Sequence, residues 1–245
     1  LDGSPMFPGQ ELKYPYAPGQ PAHEAVCRVV KCGAGAKFKP GDRVVTWRDA
    51  GHNRQGFYAE QNTAKEENLL LVPDSLSIQA LAPFELAMCV EVSFDKLKLL
   101  NAVEGKRVGV CGLGPSGLIA VQMAKAYGAR EVVGIDPVAA RHGAALELGA
   151  TACVAPSEAD WKPSRADAKA LDASIDCTGF KSAIEFLMDR TRLAVALFGV
   201  VREDLVFGAR HRGGLSLLGY DPHNLEAAKR ALTLVLDGRL KLAPL

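Results

Sequence analysis

No C-x-x-C pair occurs in this sequence, although it carries six cysteines among 245 residues. Cys27, Cys32, Cys89, Cys111, Cys153 and Cys177 are scattered, most of them inside apolar, strand-like runs. That spacing excludes a disulfide framework and points to free thiols in a reducing compartment, most of them small core residues. Basic blocks are also lacking. Lys and Arg total 29 against 28 Asp and Glu, a net charge of +1, so nothing is directed at nucleic acid or an anionic membrane. The longest apolar runs, such as GLIAVQMAKAYGA, include Lys125 and are too short to span a bilayer. No signal-peptide pattern opens the chain, which begins LDGSPMF, with Leu rather than Met, as expected of a fragment or of a chain without a disordered lead. The expected location is therefore cytoplasmic. Internal repeats and low-complexity segments are absent too.

What remains is an ordinary globular composition, 48% hydrophobic and 23% charged, whose character changes near residue 95. Before it, short apolar runs (EAVCRVV, DRVVTW, GFYAEQ, NLLLVP) are separated by turn signals such as FKPGDR and VPDS. That pattern predicts a β-rich first domain over 1–95. After it, strand and helix signals alternate. KRVGVCG, EVVGID, TACVA, ASIDCTG, AVALFG and LSLLGY read as strands. PSGLIAVQMAKAYG, PVAARHGAALELGA (with Pro137 in its first turn), KSAIEFLMDR and NLEAAKRALTLVLDG read as helices. The βαβ repetition with continuous apolar strands predicts an α/β domain over 96–245, a parallel sheet covered on both faces.

One stretch carries chemistry. Gly112, Gly114 and Gly117 have G-x-G-x-x-G spacing, follow a strand, open a helix, and precede Asp136 at the end of the next strand. Those contexts make a dinucleotide fingerprint of what is a weak motif by itself. Gly112 permits the tight turn, Gly114 lets a pyrophosphate approach the backbone, and Gly117 lets the helix pack on the strand. Pro115 at the helix start sacrifices no needed hydrogen bond, and the first-turn amides with Ser116 face the phosphates. Asp136 accepts from the adenosine ribose hydroxyls and repels a 2′-phosphate, so NAD is expected over NADP. Arg141 offers a cation nearby. The alternative is a glycine-rich turn in a non-binding α/β protein.

With PAHEAVCRVV, KPGDRVV, GFYAE, GVCGLGPSGL, VVGID, LELGATACVAP, SIDCTG and VALFGV in this order, the chain resembles the medium-chain dehydrogenase/reductase superfamily, in particular its zinc-type alcohol and polyol dehydrogenases. The resemblance implies a GroES-like β-barrel catalytic domain joined to a Rossmann domain, with the active site in the cleft between them. It implies that His23 and Glu24 match the family's zinc histidine and the glutamate beside it. Glu85 in FELAMCVE, or alternatively Cys89, matches a third ligand. The family's first ligand, a cysteine, would lie upstream of Leu1, with Asp2 ending its motif. It also implies that Cys177, Thr178 and Gly179 lie along the cofactor, with Phe198, Gly199 and Val200 near the nicotinamide carboxamide.

The implied activity is zinc-dependent, NAD-linked hydride transfer between a small alcohol, polyol or sugar and its carbonyl, in dimers or tetramers, with LSLLGY as an edge for pairing. In that scheme His23, Glu24 and Glu85 are the catalytic set. A zinc-free quinone or enoyl reductase, or a non-catalytic NAD-binding protein, are the other readings. Departures from the family pattern are Ala22 for the glycine before the histidine and Leu86 for the proline after the glutamate. No cysteine cluster stands between GDRVV and GFYAE, so a structural zinc is not expected, and the end, DGRLKLAPL, stops where family chains return to the catalytic domain. Trp47 and His52 could wall the cleft but read better as loop residues, and His142, His211 and His223 have no partner pattern.

Overall fold

The computed structural model describes residues 22–48, 56–243 and 245. His52 and the start of the chain, with Leu1 and Asp2, lie outside the described residues. Two compact units are present, one of residues up to Met88 with those near Leu242, the other spanning Cys89–Lys241.

The first unit holds an antiparallel sheet of three strands, β1 (Val26–Arg28), β2 (Arg43–Thr46) and β3 (Leu69–Leu71), with β2 in the middle. Val44 and Val45 of the central strand are buried, and Arg28 closes the end of β1 on Gly41 O and Asp74 at 2.7 Å each. GFYAEQ, one of the short apolar runs of the β-rich reading, forms no strand; it bends across residues 57–60, where Phe57 N donates to Ala22 O at 2.8 Å. Trp47 is buried and donates from its indole to Glu67 O at 3.0 Å, which makes it a core residue of this unit.

Helix α1 (Phe84–Leu99) has no counterpart in the sequence reading. The division between the units falls inside it, between Met88 and Cys89, and the composition change near residue 95 also lies within it. In the second unit its buried Glu91 accepts from Lys98 Nζ (2.7 Å), Tyr127 Oη (2.6 Å) and Arg230 Nε (3.0 Å). A buried carboxylate with three donors is satisfied rather than stranded, and it ties α1 to the end of α2 and to α5.

The sheet of the second unit is β4 (Arg107–Cys111), β5 (Glu131–Ile135), β6 (Ala152–Val154), β7 (Leu171–Asp176), β8 (Thr191–Leu197) and β9 (Ser216–Leu218). All pairs are parallel and the order is β6-β5-β4-β7-β8-β9. That is the doubly wound dinucleotide-fold order, which reverses between β4 and β7. Helices α2 (Pro115–Ala126), α3 (His142–Glu147), α4 (Lys181–Arg190) and α5 (Leu225–Leu236) complete the unit.

Pro137 does not start a helix: a 3-10 turn, Ala139–Arg141, intervenes, and α3 begins at His142. The crossover from β6 to β7 contains only the 3-10 turn Pro156–Glu158. In place of a helix, Trp161 packs into the core with Leu171, Ile184, Leu187 and Met188. All six cysteines are free. Among the described residues no helix is long and apolar enough to cross a membrane.

Candidate functional site

Three loops converge at the carboxyl ends of β4, β7 and β8, beside the point where the strand order reverses. In open α/β sheets this crevice is where ligands bind. Gly112 takes φ +88°, a left-handed conformation that would strain any residue with a Cβ, and its amide donates to Ile135 O at 2.8 Å. Gly117 sits so close to this turn that an added Cβ would lie 1.7 Å from Gly112 O. Gly114, the N-cap of α2, is different: a Cβ there would meet nothing within 4 Å. The backbone of residue 114 therefore borders open space at the helix N-terminus, with Pro115 in the first turn.

The second loop, Cys177 to Gly179, is clasped by Asp176. One carboxylate oxygen of Asp176 accepts from the Thr178 hydroxyl (2.6 Å) and amide (3.1 Å), and the other from the Gly179 amide (2.9 Å). Burial pushes the Asp176 carboxyl above the usual range, and these bonds offset only part of the rise. The third loop hangs on the same residue, since Phe198 N and Gly199 N both donate to Asp176 O, at 3.0 and 2.9 Å. Gly199 packs against Gly179, and Gly179 in turn against Val200. Asp176 is thus the hub of the site, and it was missed in the sequence reading because its work is done through backbone amides. Cys177 and Cys111 lie beside it. Burial raises both thiols, that of Cys111 to about 12, so neither is a thiolate near neutral pH.

Asp136 closes the fingerprint. Its Oδ2 accepts from Leu113 N (2.7 Å) and Arg141 NH1 (3.1 Å), and its Oδ1 from Val138 N (2.8 Å). Burial pushes its carboxyl up, but these three donors outweigh that and hold it below the usual value. A carboxylate oxygen has two acceptor directions, so two donors occupy those of Oδ2 and one donor meets Oδ1. Asp136 is only 1% exposed, whereas the Arg141 side chain is 53% exposed.

The metal-ligating candidates are described within each unit. In the first, His23 Nε2 stands 3.8 Å from Glu85 Oε2, too long for a hydrogen bond and an ion pair only when the imidazole is protonated. Glu24 is exposed. The segment is anchored by Thr46, whose hydroxyl donates to His23 O and accepts from Ala25 N, both at 2.9 Å. Ala22, just before His23, has φ +73°. This left-handed conformation costs an L-residue about 1–2 kcal/mol, which explains why the family pattern has glycine here. Ala22→Gly is expected to stabilise the protein by up to about 1 kcal/mol, part of the gain being returned as unfolded-chain entropy. Thermal or urea unfolding of the two proteins checks it.

In the second unit Cys89 Sγ lies 3.4 Å from His223 Nε2. His223 had no partner in the sequence reading, because 134 residues separate it from Cys89 and neither neighbourhood has ligand spacing. The other two histidines with no assigned role are structural, His142 bonding Asp136 O and His211 bonding Asp189, each at 2.8 Å.

Comparison with known proteins fits this architecture. Residues 115–235 match the family model described as zinc-binding dehydrogenase. An alcohol dehydrogenase of Geobacillus stearothermophilus is 32% identical over 171 residues, 60% of this chain and 50% of that protein. The (R,R)-butanediol dehydrogenase of Bacillus subtilis (strain 168) is 32% identical over 184 residues, 64% of this chain and 51% of that protein. Among solved structures, an alcohol dehydrogenase from Thermus sp. ATN1 superposes with a TM-score of 0.79 at 22% identity, covering 95% of this chain and 77% of that one. Such a likeness shows the fold. The chain is thus a two-unit α/β protein whose second unit has a doubly wound parallel sheet. Over residues 115–235, just under half of the chain, the sequence is similar to the zinc-binding dehydrogenases. It spans about half the length of the curated relatives it matches.

Proposed function

We propose that the protein is a zinc-dependent, NAD-linked oxidoreductase that interconverts a small alcohol, polyol or sugar with its carbonyl. The observation that carries this reading is the open space over Gly114 at the N-terminus of α2, framed by the Asp176-clasped loops. A diphosphate placed there meets first-turn amides and the positive end of the helix dipole. The remaining acceptor direction on Asp136 Oδ1 suits a ribose hydroxyl. Thr178, Phe198, Gly199 and Val200 would line the path of the nicotinamide half. The donor types also suit zinc: an imidazole and a carboxylate at His23 and Glu85 in the first unit, with Glu24 beside the first, and a thiol at Cys89 in the second. Bound zinc supplies a Lewis acid that acidifies an alcohol oxygen, and bound NAD the acceptor for the hydride. The chain's own residues would serve to hold and orient the two groups. Relatives named as alcohol and butanediol dehydrogenases support this substrate class.

One observation favours NADP instead. Arg141, half exposed beside Asp136, could pair with a 2′-phosphate. Calorimetric titration with both dinucleotides, followed by turnover assays over a panel of alcohols and sugars, decides. The expected outcome is tighter binding of NAD than of NADP and zinc-dependent turnover. Absence of affinity for either dinucleotide overturns the reading, and turnover without zinc moves it to the zinc-free reductases.

A further inference from the structure

We infer that His223, from the loop that leads into α5, is a ligand of the bound zinc, paired with Cys89 of α1. This rests on the reading that zinc is bound near α1, and it adds a donor that the family resemblance does not supply. The geometry is direct. Zinc bonds to sulfur at about 2.3 Å and to imidazole nitrogen at about 2.0–2.1 Å, so two such ligands at a tetrahedral angle stand about 3.5 Å apart. The observed separation of Cys89 Sγ and His223 Nε2 is 3.4 Å.

A thiol-to-imidazole hydrogen bond would also span this distance, but the surroundings favour a cation. Cys89 is buried, and one turn earlier on the same helix stands Glu85, also buried. Residues four apart on a helix share a face, so α1 itself delivers a carboxylate and a thiol side by side. Thiol and imidazole are both zinc donors, and α1 adds a carboxylate one turn from the thiol.

His223 is also held in place, as a ligand must be. The next residue, Asn224, caps α5 by accepting from Ala227 N at 2.8 Å, which fixes the backbone at the helix entrance. The imidazole ring meets Tyr220 edge-on at 6.2 Å and 84°, and Tyr220 meets Phe198 edge-on at 5.9 Å. Ring contacts of this kind set the orientation from which Nε2 can bond a metal. They also connect the metal ligand to Phe198, one of the residues assigned to the nicotinamide.

The test uses the full chain loaded with cobalt(II), a spectroscopic stand-in for zinc, and measures metal affinity by competition with a chromophoric chelator. The wild-type protein is expected to bind one equivalent with a thiolate-to-cobalt charge-transfer band. His223→Ala should weaken binding by about 100-fold or more, beyond the 10–100-fold typical of losing a residue that only supports a ligand. His223→Cys should restore binding and strengthen the charge-transfer band, because a second thiolate enters; it also answers for a His223→Ala protein that fails to fold.

If His223→Ala binds cobalt with wild-type affinity and an unchanged band while His23→Ala abolishes binding, the assignment of His223 is wrong and the zinc reading stands. If the wild-type protein takes up no metal, both fall, and dinucleotide titration then shows whether the cofactor reading survives.

Discussion

Gly117→Ala is expected to lower the melting temperature by about 6–12 °C and to abolish dinucleotide binding, whereas Gly114→Ala should melt like the wild type and lose only the binding. The two glycines share a loop, and their difference lies in what a methyl group would meet. At residue 117 it would lie 1.7 Å from the Gly112 carbonyl oxygen and 2.8 Å from its carbon. Both are backbone atoms in a turn already fixed by the Gly112 amide on Ile135 O, so α2 or the turn itself must move. Overpacking of this kind costs about 3 kcal/mol, and in a chain of this size each kcal/mol is worth about 2–4 °C. At residue 114 the backbone has φ −78° and ψ −171°, which alanine accepts, and a methyl group enters empty space. That space is where the pyrophosphate is proposed to lie, so the methyl competes with the ligand and not with the fold. Scanning calorimetry with and without NAD separates the cases. A Gly114→Ala protein that binds NAD as the wild type does would remove the phosphate from this position.

The turn at Gly112 and the close packing at Gly117 were legible in the sequence because both are local. The parallel strands were legible for a related reason. Strands buried on both faces are continuous apolar runs, and all six expected strands of the second unit are present.

Helix α1 was not legible. From Ala87 to Phe94 every residue is buried, Glu91 and Ser93 included, so its apolar positions do not recur with a helical period. Its register depends on Lys98, Tyr127 and Arg230 satisfying Glu91, and two of these are remote in sequence. Pro137 misled for a different reason. Its φ suits a helix start, but Asp136 captures the Val138 amide first and diverts the chain into a 3-10 turn. His223 and Asp176 were missed because what defines them is a partner across the fold or a backbone amide, neither of which has a sequence pattern.

Asp136→Asn is the second large effect expected, with a loss of about 2–3 kcal/mol of stability at neutral pH and a weakening of NAD binding by about 10–100-fold. The carboxylate is surrounded only by donors: Leu113 N, Val138 N and the Arg141 guanidinium. An amide in its place keeps one acceptor oxygen and turns an NH2 group toward one of them, so a donor faces a donor. The pH dependence follows from the sign of the shift. The folded-state pKa of Asp136 is depressed, so its contribution is fully present above the unfolded value of about 3.9 and is lost as the pH falls through the folded value. Asp176 works the other way. Its raised pKa means that the folded protein gains a proton more readily than the unfolded chain, so its contribution to stability declines as the pH rises from about 3.9 through its folded value. The two partly cancel in the wild type, and the difference between wild type and Asp136→Asn isolates the first. Urea unfolding from pH 3 to pH 7 should show the stability gap between the two proteins narrowing toward acid. A gap independent of pH would mean that the carboxylate charge contributes nothing to locking the glycine turn, and with it the electrostatic basis for choosing NAD would be gone.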